Sequence, residues 1–371
     1  MKLVNSVINF SKGNTELYEM FVDYFNHYRA NAGQKGLSFR THKSDGSPVT
    51  FSDKEDKINK ELLKEIARVS NVPNAQNWDM ATYASHPSVV WATFAVINQL
   101  VDAVLPDAIT DSIGLYTDVR TIGYGDSAAF DIEARDLFAV SKAGRSMRQA
   151  EIHKQFKGQV TVVPENHVLS VGVSLYRVLS GYESLARFAS KAVLSLEAAM
   201  TKEAYTAFAT AMAALDNSGT DALRFSGWAD TTFITLAQTV TAWNGGQKAI
   251  LVGTNVALES VLPTSDVNYR YNLESDYVKM GYIRDFKGYS VMEIPQVADW
   301  GTEFGLIIDD TKLWVLSPTA GKLVKLVLEG STIANTTGAF DNANLTQQTN
   351  LQKMWGTAIA TSSIAGTIEL S

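Results

Sequence analysis

The sequence contains no cysteine and only 8 prolines in 371 residues, and charged residues make up just 19% of it. Each shortage excludes something. Without cysteine there is no disulfide scaffold, no thiolate metal site and no thiol nucleophile. An ordinary soluble domain carries about 25% charge. A chain that gives much of its surface to partners needs less. Positive charge is the scarcer sign: 32 Lys and Arg against 39 Asp and Glu leave a formal charge of −7. That balance argues against a protein that grips nucleic acid mainly through phosphates. Apolar residues reach 46%, far too many for a disordered chain. The length suffices for two or three domains.

Membrane and export signals are also missing. The most apolar stretch, 89–105, is short for a span and carries Asn98, Gln99 and Asp102, so a buried helix is expected there and no membrane partner. The N-terminus lacks the basic start, apolar run and cleavage site of a signal peptide. The Asn335 and Asn344 glycosylation patterns are then chance matches.

What is present is a long series of periodic segments. Leu17, Met20, Phe21, Tyr24 and Tyr28 predict a helix over 15–30. Residues 33–48 read as an exposed loop. Ser52 and Glu55 have capping-box spacing and predict a second helix from Ser52 with Ile58, Leu62, Ile66 and Val69 on its apolar face. A third follows Pro87 and runs to about Leu105. Leu169, Val171, Val173 and Leu175 alternate with small polar residues and predict a half-buried strand. Residues 182–215 contain no Gly or Pro and keep one stripe through Leu185, Phe188, Ala192, Leu196, Met200, Phe208 and Met212, with Arg187, Lys191, Glu197 and Lys202 largely off it. Such a helix would be a rod of roughly 50 Å.

A compact α+β stretch follows. Phe233, Leu236, Val240 and Trp243 stripe a helix stopped by Asn244-Gly245-Gly246. Residues 248–253 read as a buried strand, and Thr254 as the cap of a short helix to Leu262. Strands are expected at 277–283 and 289–294, joined at Lys287-Gly288, and at 304–308, 312–316 and 323–328. The tail from Thr346 is strand-like again.

Between them, 115–163 segregates its charge. Asp126, Asp131, Glu133 and Asp136 come first; Arg145, Arg148, Lys154 and Lys157 follow. This predicts an extended hairpin with one acidic and one basic arm. Opposed charge blocks fit a contact between subunits that selects partner and register. Asp131, Glu133, Asp136, Arg145, Arg148, Lys154 and Lys157 are therefore the candidate interface residues. A nucleic-acid patch on the basic arm, or a solvated loop, are the competing readings.

Catalytic motifs are absent. There is no Walker loop, no G-x-S-x-G elbow and no H-E-x-x-H. His27, His42, His86, His153 and His167 have no partner at ligand spacing, so they read as exposed or capping residues, with no metal and no cofactor expected. Gly253-Thr254 and Gly123-Tyr124-Gly125-Asp126 read as turns rather than phosphate loops. Trp228, Trp243, Trp300, Trp314 and Trp355 lie in apolar runs without interleaved Arg and Lys, which predicts core positions and not base stacking.

The order of elements resembles the major capsid proteins of tailed bacteriophages, the Hong Kong 97-type shell fold. The wording supports it in three places. Ile122-Gly123-Tyr124-Gly125-Asp126 to Leu137-Phe138, with Gly144-Arg145 and 161–164, resembles the family's extended loop. Gly281-Tyr282-Ile283 to Phe286-Lys287-Gly288-Tyr289, then Val291 to Pro295, resembles its axial hairpin. Gln348 to Ile359, ending in Gly366-Thr367-Ile368, resembles its closing strands.

The resemblance implies an α+β chain in five parts. These are an N-terminal helical arm (1–114), an extended loop (115–163), a peripheral domain with a spine helix (164–217), an axial domain (218–316) and closing strands (317–371). It implies no catalysis but assembly: hexamers and pentamers forming an icosahedral head around packaged double-stranded DNA. The partners implied are further copies of the chain, portal and scaffold proteins, and DNA held only by weak non-specific contact. It places the protein in the virion, with assembly in the host cytoplasm. Some members crosslink through Lys and Asn. Lys142, Lys154, Lys157, Asn335, Asn342 and Asn344 are of the right types, but no position matches closely enough to carry that chemistry over. Three rivals remain open: an encapsulin-like compartment shell, an α+β enzyme with an unrecognised site, and a tail tube protein.

Overall fold

A computed structural model of the chain describes residues 15–32, 37–43, 46–72, 86–114, 116–133, 157–174, 183–215, 223–261, 281–299, 303–318, 321–336, 346–360 and 363–370. These cluster into two compact units. The first takes its residues from Met1–Ile109, Glu165–Glu197 and Glu329–Trp355. The second takes them from Thr110–Pro164, Ala198–Leu328 and Gly356–Ser371.

In the first unit, α1 (Thr15–Asn31) and α2 (Phe51–Ser70) are amphipathic partners. Leu17, Phe21, Tyr24 and Phe25 of α1 and Ile58, Leu62 and Ile66 of α2 are all buried. The capping box of α2 lies earlier than the sequence predicts. Thr50 Oγ1 accepts from the Asp53 amide at 3.2 Å, and Asp53 Oδ2 accepts from the Thr50 amide at 3.2 Å. Two overlapping pairs have the required spacing. The earlier one draws Phe51 into the helix, where its ring stacks on Tyr24 at 4.9 Å.

Helix α3 (Pro87–Ile113) runs well past Leu105 and contains Pro106. The proline forfeits one backbone bond, but stopping there would expose Ala108 and Ile109, both buried. By length and composition the stretch Ser88–Asp111 could cross a bilayer, and 67% of its most apolar window is buried inside the protein. That agrees with the expected core helix. Strand β4, defined as Glu165–Ser174, pairs antiparallel with β13 (Thr346–Ile359) from Glu165↔Trp355 to Ser174↔Thr346. The strand begins four residues before the predicted alternation because this pairing extends it.

Helix α4 (Leu185–Ala213) is about 43 Å long at 1.5 Å per residue. Ala192, Leu196, Met200, Phe208 and Met212 are buried, as the stripe predicts. Glu197 departs from the prediction. It is buried beside Arg29 of α1, 3.6 Å away, so a charge expected in solvent has a partner inside the first unit.

The second unit is built on a six-stranded mixed sheet. Its strands are β5 (Arg224–Ser226), β6 (Ile250–Gly253), β7 (Asp285–Phe286), β8 (Tyr289–Glu293), β11 (Lys312–Leu316) and β14 (Gly366–Glu369). Their order is β5-β14-β11-β6-β8-β7. β5 runs parallel to β14 and β6 parallel to β8, while β11 is antiparallel to both of its neighbours. Helices α5 (Asp230–Trp243) and α6 (Asn255–Glu259) contribute to its core. Phe233, Leu236, Val240, Leu258, Leu313 and Ile368 are fully buried there.

Several elements of this unit differ from expectation. Trp243 is 65% exposed. Asn244 takes the inner place, donating to the Ile364 carbonyl at 2.7 Å and accepting from its amide at 2.9 Å. The strand predicted over 277–283 is not present at 281–283; its earlier residues lie outside the described ones. Gly281 has φ 81, which breaks an extended run, and the arm before the turn is only β7. The turn itself is as expected. Lys287 and Gly288 have φ 50 and 85, the two left-handed positions of a tight hairpin turn. The 304–308 strand shrinks to β10 (Gly305–Leu306), paired with β9 (Ala298–Asp299). β12 (Val324–Thr336), whose residues from Glu329 on belong to the first unit, is longer than predicted and lies beside β13.

Candidate functional site

Among the described residues no acid–base constellation emerges. The displaced tyrosines, Tyr18, Tyr24, Tyr116, Tyr205 and Tyr282, are pushed upward chiefly by burial. Burial also lowers His27, helped by the Lys54 charge. Burial alone would raise Asp309, but its hydrogen bonds from Thr311 and the Lys312 charge hold it below the usual carboxylate range. Among the described residues no group of three or more His, Asp and Glu could hold a metal. His42 and His86 are exposed. His27 stacks on Phe39 at 4.5 Å and His167 on Trp355 at 3.5 Å, so both are packing residues rather than the exposed or capping ones expected. His153 and Trp300 lie outside the described residues. Trp314 and Trp355 are core residues and Trp228 is half-buried.

The turn at Gly253-Thr254 is a helix cap. Thr254 Oγ1 accepts from the Ala257 amide at 3.3 Å, and a Cβ at Gly253 would come within 2.6 Å of the Leu313 side chain. At Gly123-Tyr124-Gly125-Asp126, Asp126 Oδ2 accepts from the Gly123 amide at 3.1 Å, closing a turn.

The charged hairpin carries the candidate interface residues. β2 (Ala128–Glu133) and β3 (Lys157–Val162) pair antiparallel from Ala128↔Val162 to Glu133↔Lys157. β1 (Thr117–Ile122), expected as part of the same hairpin, instead lies beside β12. Of the seven candidate interface residues, Asp131, Glu133 and Lys157 fall on the described strands. Asp136, Arg145, Arg148 and Lys154 lie outside the described residues. Register puts Glu133 opposite Lys157, and Lys157 Nζ reaches Asp131 Oδ2 at 2.8 Å. The two arms thus pair some of their opposite charge with each other. Both side chains are more than half exposed, so this pair contributes at most about 1 kcal/mol.

The root of the hairpin is held by residues that charge patterning does not mark. Phe130 of β2 is buried with Ala128, Val162 and Val327. The Arg120 guanidinium lies 4.1 Å from its ring centre and Lys325 Nζ 5.5 Å. Asp118 Oδ2 joins the two cations, 3.3 Å from each. The strand alternation Asp118-Val119-Arg120 is the one sequence signal that could have placed both on one face of β1. Behind the root, a Cβ at Gly356 would come within 2.6 Å of the Val163 carbonyl, so β13 passes in close backbone contact with the residue after β3.

A protein-family model, "YonB: SPbeta prophage-derived putative capsid protein YonB", matches residues 37–369. The chain belongs to this family. The capsid protein is therefore a structural component of a shell and not an enzyme. Its α+β architecture is the class expected from the sequence. Among solved structures, a capsid protein of the cyanophage P-SCSP1u is similar at 15% identity, covering 69% of this chain and 86% of that one, with a TM-score of 0.47. The mature capsid of bacteriophage PhiM1 is similar at 10% identity over 68% and 85% of the two chains, TM-score 0.44. A virus-like particle from Pyrococcus furiosus is similar at 11% over 72% and 97%, TM-score 0.40. The family model, not these distant likenesses, carries the assignment. No protein of curated function matches the sequence.

Proposed function

We propose that this capsid protein is the main shell subunit of a tailed phage or prophage, with the Hong Kong 97-type fold. Copies form hexamers and pentamers that close an icosahedral head around packaged double-stranded DNA. The observation that carries this is the family match across 37–369. The order of elements supports it: a hairpin, the strand β4, the long α4, a compact mixed sheet, then returning strands.

In this reading 115–163 is the extended loop that lies on a neighbour, and 164–217 holds the spine helix. Residues 218–316 form most of the axial domain and 317–371 the closing strands, with 1–114 as the N-terminal region. The loop charges Asp131, Glu133, Asp136, Arg145, Arg148, Lys154 and Lys157 belong to the contact with that neighbour. Portal and scaffold proteins are the further partners. The net charge of −7 lets DNA be enclosed without being gripped. Assembly takes place in the host cytoplasm. A compartment shell that houses enzymes would use the same architecture, but a prophage family does not favour it.

The test is expression of the full chain followed by sizing and negative-stain microscopy. Rings, sheets or closed shells are expected. A chain that stays monomeric over all salt and protein concentrations, with or without a co-expressed scaffold, would overturn the proposal.

A further inference from the structure

The β9–β10 ribbon of the second unit carries an aromatic residue that its own chain leaves in solvent. Phe304 is 96% exposed. Its backbone has φ 56, the left-handed region in which residues other than glycine are strained. An exposed ring and a strained backbone both work against the isolated subunit. Strain of this kind persists only where the surrounding structure enforces it, and it collects at functional sites.

The ribbon that carries Phe304 is itself held in place. Asp299 pairs with Gly305 and Ala298 with Leu306, and the Ile307 amide donates to the Val297 carbonyl at 2.9 Å. Gln296 brackets the base. Its Nε2 donates to the Ile308 carbonyl at 2.6 Å and to Asp310 Oδ1 at 2.8 Å, and its Oε1 accepts from the Ile308 amide at 3.2 Å. Lys202 of α4 holds Asp299 at 2.7 Å, and Tyr205 of the same helix accepts from the Asp309 amide at 2.8 Å. The ribbon is a fixed mount, and its apolar display extends beyond Phe304. Leu306 is 56% exposed, and Ala298, its partner across the ribbon, is exposed too.

We propose that Phe304, with Leu306 beside it, is an anchor that inserts into an apolar surface of a neighbouring copy of this chain; the proposal rests on the shell function above. A second copy is the occupant for two reasons. A shell protein meets its own copies on several sides. The same chain also displays large apolar side chains elsewhere that could form the receiving surface, among them Trp91, Val163 and Trp243, each more than half exposed. A knob on one surface entering a socket on a different one is a heterologous contact, the kind that builds rings. A central aromatic in a desolvated pocket is also the usual energetic focus of such contacts.

The experiment compares wild type with Phe304→Gly and Phe304→Ala in the full chain. Two quantities are read: the concentration at which assembly begins, and the melting midpoint of subunits held below it. Glycine removes both ring and strain, so Phe304→Gly is expected to raise the subunit midpoint by a few degrees while raising the assembly threshold at least tenfold. Phe304→Ala removes the ring and keeps the strain, so it should raise the threshold with no gain in midpoint. Assembly of Phe304→Gly at the wild-type threshold overturns the anchor. So does a lowered subunit midpoint, because the ring would then be held by its own chain. Wild type that never assembles overturns the shell function, and the anchor with it. Wild type that assembles alongside an equally competent Phe304→Gly overturns the anchor alone.

Discussion

Lys353 Nζ lies 3.0 Å from Asp102 Oδ1, with both side chains less than a tenth exposed. The two residues are 251 positions apart, on β13 and α3 of the first unit. Thr332 completes the cluster by donating its hydroxyl to Asp102 Oδ1 at 2.5 Å and its amide to Oδ2 at 2.7 Å. Lys353 also donates to the Gly330 carbonyl at 2.6 Å. Removing one member of a buried pair leaves an uncompensated charge, whereas replacing both by apolar residues is often neutral. Lys353→Met should therefore cost about 3–5 kcal/mol in urea unfolding. Adding Asp102→Leu should recover less than half of that loss, because it also leaves the Thr332 hydroxyl and amide without their acceptor. A Lys353→Met variant as stable as wild type would show that the pair is solvated.

The packing of α1 against α2 should weaken with acid. His27 stacks on Phe39, and Phe51 meets it edge-on at 5.5 Å. Burial first, and Lys54 of α2 second, lower its pKa; Asp23 of its own helix opposes them. The folded state thus prefers neutral imidazole. Its contribution is complete above the ordinary histidine value near 6.5. It is lost as the pH falls from there through the lower folded value. Melting measured at pH 7.5 and 5.5 should show a drop that His27→Phe reduces. An unchanged difference in that variant would remove His27 as the cause.

Gly356 is a close-approach glycine. Any Cβ there would press on the backbone at Val163 and Pro164, which cannot rotate away as a side chain can. Gly356→Ala should destabilise by about 1–3 kcal/mol and loosen the hairpin root, read as faster amide exchange in β2 and β3. Full stability would mean that β13 and 163–164 stand further apart.

The hairpin charges should matter to assembly more than to folding. Lys157→Glu breaks an exposed pair with Asp131, so the subunit should lose no more than about 1 kcal/mol, while the shell yield falls. The same split is expected for Arg145→Glu with Arg148→Glu. Shell yields equal to wild type in both variants would remove these residues from the contact.

Signals confined to a few neighbouring residues were legible in the sequence. The span of α1, the Thr254 cap, the stop at Asn244-Gly245-Gly246 and strand β11 all rest on adjacent side chains and turn chemistry. Ambiguity began where two local signals overlapped. Thr50-Asp53 and Ser52-Glu55 have the same spacing, and only the stacking of Phe51 on Tyr24 decides between them. Pro106 reads locally as a helix stop, yet the buried residues beyond it carry α3 onward. Long-range choices were illegible. Nothing near Lys353 marks Asp102 as its partner, and Trp243 continues an apolar stripe although Asn244 takes the buried place. For the candidate site, the opposed charges announced a hairpin. The cluster that fixes its root joins Phe130 of the hairpin to Arg120 and Lys325 from two other strands, and becomes visible only once β1 and β12 are placed.

The position of β14 sets a clock on the second unit. This strand follows every other strand of its sheet in sequence but is an inner member of it, paired with β5 on one side and β11 on the other. During synthesis β5 and β11 emerge with a vacancy between them. β5 waits for about 140 further residues, some 7–28 s at roughly 5–20 residues per second. Until Gly366–Glu369 arrives, Phe233, Leu236 and Ile368 cannot close their core.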